Sequence, residues 1–166
     1  ILTGTDNING TGHEFDNTLI GNSGNNILNG GRGTDSLNGG LGNDTYQMAR
    51  GYGVDTITDL DGSSGNADQL NFLNARADQL WFSQVGNDLQ ISIIGTGDAA
   101  IVKDWYNGAS NHVEQLRSSN GKTLTDSNVQ NLVNAMASMT PPAMGETVLS
   151  AEQHSQLDVV IAANWT

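Results

Sequence analysis

Asp35 and Asp44 stand nine residues apart, each inside a glycine-rich block: Gly30-Gly31-Arg32-Gly33-Thr34-Asp35-Ser36-Leu37-Asn38 runs directly into Gly39-Gly40-Leu41-Gly42-Asn43-Asp44-Thr45-Tyr46-Gln47. Nine residues before Asp35 lies Asn26, and nine before that Asn17; the position two further on reads Leu19, Leu28, Leu37 and Tyr46. Carboxylate and amide oxygens beside glycine turns, whose carbonyls are unobstructed, form a set of hard oxygen donors. Other chemistries find little purchase. His13, His112 and His154 lie far apart without His-x3-His spacing, cysteine is absent, and neither Gly-x-Ser-x-Gly nor the full phosphate-loop signature occurs. No catalytic residue is assigned, and fold analogy alone would not justify one.

The elements that must position these residues follow from the same period. Each Asx opens a very short strand with one inward side chain, and glycines supply the positive φ of the turn before it. A stack of such turns has a narrow core, which is the sequence logic of a solenoid; a flexible linker would not hold an apolar residue at a fixed distance from each Asx. An imperfect first copy, Gly4-Thr5-Asp6-Asn7-Ile8-Asn9, precedes what reads as a two-residue insertion near His13 and Glu14. Downstream, Gly51-Tyr52-Gly53-Val54-Asp55-Thr56-Ile57 and Gly65-Asn66-Ala67-Asp68-Gln69-Leu70 continue the register with insertions.

From about residue 72 the pattern changes to short apolar runs broken by turns, predicting antiparallel strands over 80–82, 89–93, 100–102 and 113–116. Val129, Leu132, Val133 and Met136 fall on one helical face after Thr125 or Asp126, closed by Pro141-Pro142; Ser150-Ala151-Glu152-Gln153 is a capping box opening a second helix. Net charge is −12, and the six basic residues are scattered singly at 32, 50, 76, 103, 117 and 122. That excludes a clustered phosphate-binding surface, so neither nucleic acid nor an anionic membrane is an expected partner. No apolar run is long enough for membrane insertion.

The repeats resemble the RTX family of bacterial proteins exported by type I secretion, whose nine-residue consensus is Gly-Gly-x-Gly-x-Asp-x-apolar-x. Residues 77–124, with Asp78-Gln79-Leu80-Trp81-Phe82, Lys103-Asp104-Trp105-Tyr106 and Val113-Glu114-Gln115-Leu116, look like the haemolysin-type calcium-binding-related domain that often follows such repeats. The resemblance implies a mainly β fold: a parallel β-roll over 1–71, a small antiparallel β region capping it over 72–124, and a helical tail over 125–166 with a type I export signal near Asp158-Val159-Val160-Ile161. It also implies calcium, about four or five ions, between stacked pairs Asp6/Asn26, Asn17/Asp35, Asn26/Asp44, Asp35/Asp55 and Asp44/Asp68. Gly31, Gly33, Gly40, Gly42, Gly51 and Gly53 would be carbonyl donors. Asn17 and Asn26 replace the usual Asp, so the 35/55 and 44/68 pairs should bind most tightly, and the asparagines either ligate weakly or form a side-chain ladder. Asp16 reads as a spare surface charge, while Asp59 and Asp61 either complete the last site or face solvent.

Residues 1–70 hold nine acids and two arginines, so self-repulsion opposes compaction until cations arrive. The expected function is a module that folds on meeting extracellular calcium and supports type I secretion and stability of a larger secreted or cell-surface protein. Its partners would be calcium, the secretion machinery and upstream domains of that parent, since the chain reads as a piece beginning in mid-pattern. The alternative is a polysaccharide- or surface-binding accessory module using Trp81, Trp105 and Tyr106; buried tryptophans count against it.

Overall fold

A computed structural model describes residues 1–166. The protein is mostly β, with two helices. The first seven strands are β1 (Gly10–Thr11), β2 (Thr18–Ile20), β3 (Ile27–Asn29), β4 (Ser36–Asn38), β5 (Thr45–Met48), β6 (Val54–Thr58) and β7 (Gln69–Phe72). They alternate between two sheets, β1, β3, β5 and β7 in one and β2, β4 and β6 in the other, each pairing in parallel with the next but one. Every glycine turn therefore carries the chain across to the opposite sheet, an arrangement that fits the expected β-roll.

Register explains why so few residues suffice per strand. Leu19 pairs with Leu37 and Leu28 with Tyr46, two nine-residue repeats apart. Leu28, Leu37, Tyr46, Ile57 and Leu70 are almost fully buried, and each such side chain contributes about 1.5–3 kcal/mol of burial. The downstream insertions are real, since Leu37 pairs with Ile57 and Tyr46 with Leu70. The insertion expected near His13 is not. Gly10 pairs with Leu28, so the period runs unbroken from Gly10 to Leu19. Gly10 takes the inward place, where a Cβ would stand 3.2 Å from the Leu28 side chain.

Past residue 72 the chain forms β8 (Leu80–Val85), β9 (Asp88–Ile93), β10 (Ala99–Val102), β11 (Gln115–Arg117) and β12 (Thr123–Thr125). Leu89, Ile91 and Ile93 are buried and Gln90 and Ser92 only partly, matching the alternation. The expectation of a purely antiparallel region needs correcting. β8, β9 and β10 form an antiparallel meander, but β10 also adds in parallel to β6, and β11 in parallel to β7. Both sheets are thus mixed and continue without a break through residue 72.

Helix α1 (Asp126–Met136) follows Thr125 directly and buries Val129, Leu132, Val133 and Met136, the four residues of the expected stripe. Helix α2 (Ala151–Asn164) begins with the Ser150/Gln153 capping box, buries Leu157 and Ile161, and packs on α1. Trp165 follows it and lies against Phe82 with ring centroids 6.3 Å apart. One buried cluster runs from Leu28 to Trp165.

Candidate metal centre

Each Asx ends a turn and begins a strand, so the parallel register stacks these residues over one another. The link repeats: the backbone N–H of one donates to the side-chain oxygen of the next. On one side Asn17 N–H donates to Asp35 Oδ1 at 2.7 Å and Asp35 N–H to Asp55 Oδ1 at 3.1 Å. On the other, Asn26 N–H donates to Asp44 Oδ1 at 2.7 Å and Asp44 N–H to Asp68 Oδ1 at 2.5 Å. Four of the five expected pairs are therefore adjacent. Asp6 is the exception: the carbonyl above Asn26 is that of Ile8, which accepts from Asn26 Nδ2 at 2.8 Å. Asp6 is exposed and offers its own carbonyl to Asn22 Nδ2. The misplaced insertion near His13 is the cause, because it shifted the first copy by two residues.

The six expected glycines all take positive φ. At Gly33, with φ of +134°, a Cβ would lie 2.8 Å from the Phe15 carbonyl oxygen, so only glycine lets successive turns approach this closely. The Gly53 carbonyl accepts Ala99 N–H at 3.0 Å, which uses one of its lone pairs.

The charges make the case for a cation. Asp35, Asp44, Asp55, Asp59 and Asp68 are all buried. None takes part in the chain's four ion pairs, Arg76–Asp78, Lys103–Asp88, His112–Asp126 and His154–Asp158. Asp35 Oδ2, Asp55 Oδ2 and Asp59 Oδ2 are buried without any hydrogen-bond partner. An acceptor-only group in that position is costly unless something positive meets it. Burial pushes the Asp44 carboxyl up to about 6, and burial with the nearby Asp35 pushes Asp55 up to about 7. Asp59 and Asp68 face each other within hydrogen-bonding reach, and burial together with mutual repulsion raises Asp59 furthest. These donors fit calcium, which takes six to eight oxygens in flexible geometry. No group of three or more His, Cys, Asp or Glu side chains is preassembled as a cage, so turn carbonyls would complete the shell.

Asn17 and Asn26 differ from their aspartate neighbours. Asn17 Oδ1 accepts His13 N–H at 2.6 Å and Asn26 Oδ1 accepts Asn22 N–H at 2.8 Å, so each amide ties up its own turn. Asp61 faces inward, accepting from Ser63 N–H at 2.8 Å and Gly42 N–H at 3.2 Å.

Several residues were missed from the sequence. A second ladder runs one position earlier, with Asn25 N–H on Asn7 Oδ1, Asn43 N–H on Asn25 Oδ1 and Ala67 N–H on Asn43 Oδ1. Asp16, taken as spare, accepts Thr34 N–H at 2.8 Å in the same way. The signal was Asn or Asp immediately before the motif Asx. Asp98 accepts the N–H groups of Gly51 and Gly53, both at 2.8 Å, closing that turn. Glu114 Oε2 accepts Asp68 N–H at 2.8 Å, and the echo of Asp68-Gln69-Leu70 in Glu114-Gln115-Leu116 could have found it. Gly121-Lys122-Thr123, the only Gly-Lys-Thr here, runs from the β11–β12 turn into the first residue of β12, with Leu116 where a phosphate loop needs its first glycine.

Residues 11–46 match the RTX calcium-binding nonapeptide repeat in four copies, and residues 88–128 match the haemolysin-type calcium binding protein related domain. The chain carries RTX calcium-binding repeats. Asp55 and Asp68 lie beyond the matched RTX copies, yet hydrogen bonding places them in the same ladders as Asp35 and Asp44. The match to RTX repeats implies calcium binding. Trp81 and Trp105 are 5% and 4% exposed, and Trp105 stacks on His112 with centroids 3.9 Å apart. No helix is long and apolar enough to cross a membrane.

Proposed function

We propose that residues 1–71 are a calcium-dependent β-roll, capped by residues 72–124 and followed by a tail over 125–166 that carries the export signal. The module folds when the chain meets extracellular calcium and so supports type I secretion and stability of a larger secreted protein. It has no catalytic role of its own. Calcium sits between the stacked turns, most tightly at Asp35/Asp55 and Asp44/Asp68, with carbonyls of Gly31, Gly33, Gly40, Gly42, Gly51 and Gly53 as neutral donors. Asn17 and Asn26 hold their turns chiefly through their amides, and Asp6 contributes least.

The observation that carries this reading is the ladder of buried aspartates, in which Asp35 Oδ2 and Asp55 Oδ2 lack any hydrogen-bond partner. Binding energy of such ions adds directly to folding energy, and extracellular calcium modules work at about 10⁻⁴ to 10⁻³ M. A chain of this kind stays open in calcium-poor cytosol, suited to export, and closes outside. The burial of Trp81 and Trp105 disfavours the saccharide-binding alternative.

The test is a calcium titration of the full chain followed by circular dichroism, with magnesium as control, alongside an Asp35→Ala, Asp44→Ala double variant. A coil-to-β transition at sub-millimolar to millimolar calcium, absent with magnesium and weakened in the variant, is the expected result. Full β structure in strong chelator would sink the folding switch.

A further inference from the structure

Asp68 ends the recognisable repeats, yet the ladder continues beyond it. Its N–H donates to Glu114 Oε2, and β11 lies parallel on β7 with Gln115 opposite Gln69 and Leu116 opposite Leu70. Glu114 therefore stands over Asp68 as Asp68 stands over Asp44, although it belongs to the haemolysin-related segment. Asp59, from the long turn between β6 and β7, faces Asp68 and lies near Glu114. It is 2% exposed, and its Oδ2 has no partner. Asn66 Nδ2 donates to Asp68 Oδ2 at 2.5 Å, while Asn66 Oδ1 is buried without a donor. Asp61, Ser63, Asn66, Ser110 and Glu114 line a polar cavity of about 330 Å³ beside them. Asp59, Asp68 and Glu114 have no part in any ion pair.

We infer that calcium binds at this junction, with Asp59, Asp68 and Glu114 as charged ligands and Asn66 Oδ1 as a neutral one, and fastens the haemolysin-related segment to the last RTX turn. Two buried carboxylates, Asp59 and Asp68, beside a half-buried third, Glu114, without a basic partner require compensation. The three carboxylates are not preassembled as a cage, so the ion itself would draw them together; oxygen donors gathered in this way from two loops suit the large, flexible shell of calcium rather than the strict octahedron of magnesium. The inference rests on the calcium reading above but uses ligands from outside the repeat motif.

Calcium bound per chain is counted by equilibrium dialysis on the full chain and on Glu114→Gln and Asp59→Asn. Glutamine keeps an oxygen for Asp68 N–H, so a purely structural Glu114 would leave the count unchanged. Each variant is expected to lose one ion, and calcium should no longer slow hydrogen exchange at Gln115–Arg117. Asp59→Asn should also melt higher than wild type in chelator and lower in calcium, a reversal that a packing role would not produce. If Glu114→Gln fails to fold, Asp59→Asn supplies the count without touching the ladder. An unchanged count overturns the junction site and leaves the repeat reading intact. Loss of an ion with unchanged exchange overturns the fastening role, and a wild-type chain that binds no calcium overturns both readings.

Discussion

The repeat turns and the meander that follows them share two continuous sheets but are stabilised in opposite ways. Before Phe72 the chain buries seven hydrophobic residues against twenty-five from Phe72 onward, whereas seven of its ten buried polar or charged residues precede Phe72. In the repeats one inward side chain per turn leaves the Asx oxygens to complete the interior, and those oxygens repel each other. In the meander and helices, alternation and helical stripes bury whole faces and need no ion. Continuous hydrogen bonding between two regions thus does not make their stabilities alike; what fills the interior decides.

Chelation should separate the two most sharply. Hydrogen exchange in excess chelator is expected to speed up by at least about 100-fold at Thr18–Ile20, Ile27–Asn29 and Ser36–Asn38, while Leu89, Ile91 and Ile93 stay protected, because local opening follows local stability. Equal loss of protection in both regions would show the sheets to be one cooperative unit and break the contrast. The converse probe is Ile91→Ala, which removes a fully buried side chain from the ion-independent side. It should cost about 2–5 kcal/mol, by denaturant unfolding, with the calcium midpoint for the repeats little changed.

Protons offer a third lever, since they neutralise the same carboxylates. The folded-state pKa values of Asp44, about 6, and Asp55, about 7, lie above the roughly 3.9 of an unfolded aspartate. A raised carboxyl favours the folded state below the unfolded value, and that advantage is lost as pH rises through the folded value. In chelator, the repeats should therefore recover part of their β signal near pH 5 and lose it by pH 8. With saturating calcium the trend should weaken or invert, because ligation needs the deprotonated groups. A chelator profile that gains β structure as pH rises from 5 to 8 would contradict the buried, uncompensated acids.

How much of this was legible in the sequence depends on whether a feature is local. The nine-residue period fixed which residues face inward and which stack, and the Val129 to Met136 stripe and the Ser150 capping box fixed both helices, because propensity and pattern agree there. The first copy went wrong because a glycine, Gly10, fills an inward place that the pattern reserves for an apolar residue. The parallel docking of β10 and β11 was not readable either. A strand of three or four residues carries alternation but no mark of its partner's direction, which is set by packing over long sequence separations. Glu114 lies 46 residues beyond Asp68, and only the echo of Asp68-Gln69-Leu70 in Glu114-Gln115-Leu116 marks it in the sequence.

The smallest expected effect tests the contrast inside the repeats themselves, between an amide rung and a carboxylate rung. In Asn26→Asp, the hydrogen bonds from Asn26 Nδ2 to Ile8 O and Asn22 Oδ1 are lost, and a second charge is placed beside Asp44. Without calcium the variant should be less stable by about 1–3 kcal/mol, the usual cost of two lost hydrogen bonds at about 0.5–1.5 kcal/mol each. With calcium it should tighten binding, because ligand charge sets affinity in such sites. Calorimetric titration beside thermal melts in chelator reads both signs. A variant destabilised under both conditions would mean that position 26 serves only as a peg between turns, and that the ion-dependent ladder begins at Asp35 and Asp44.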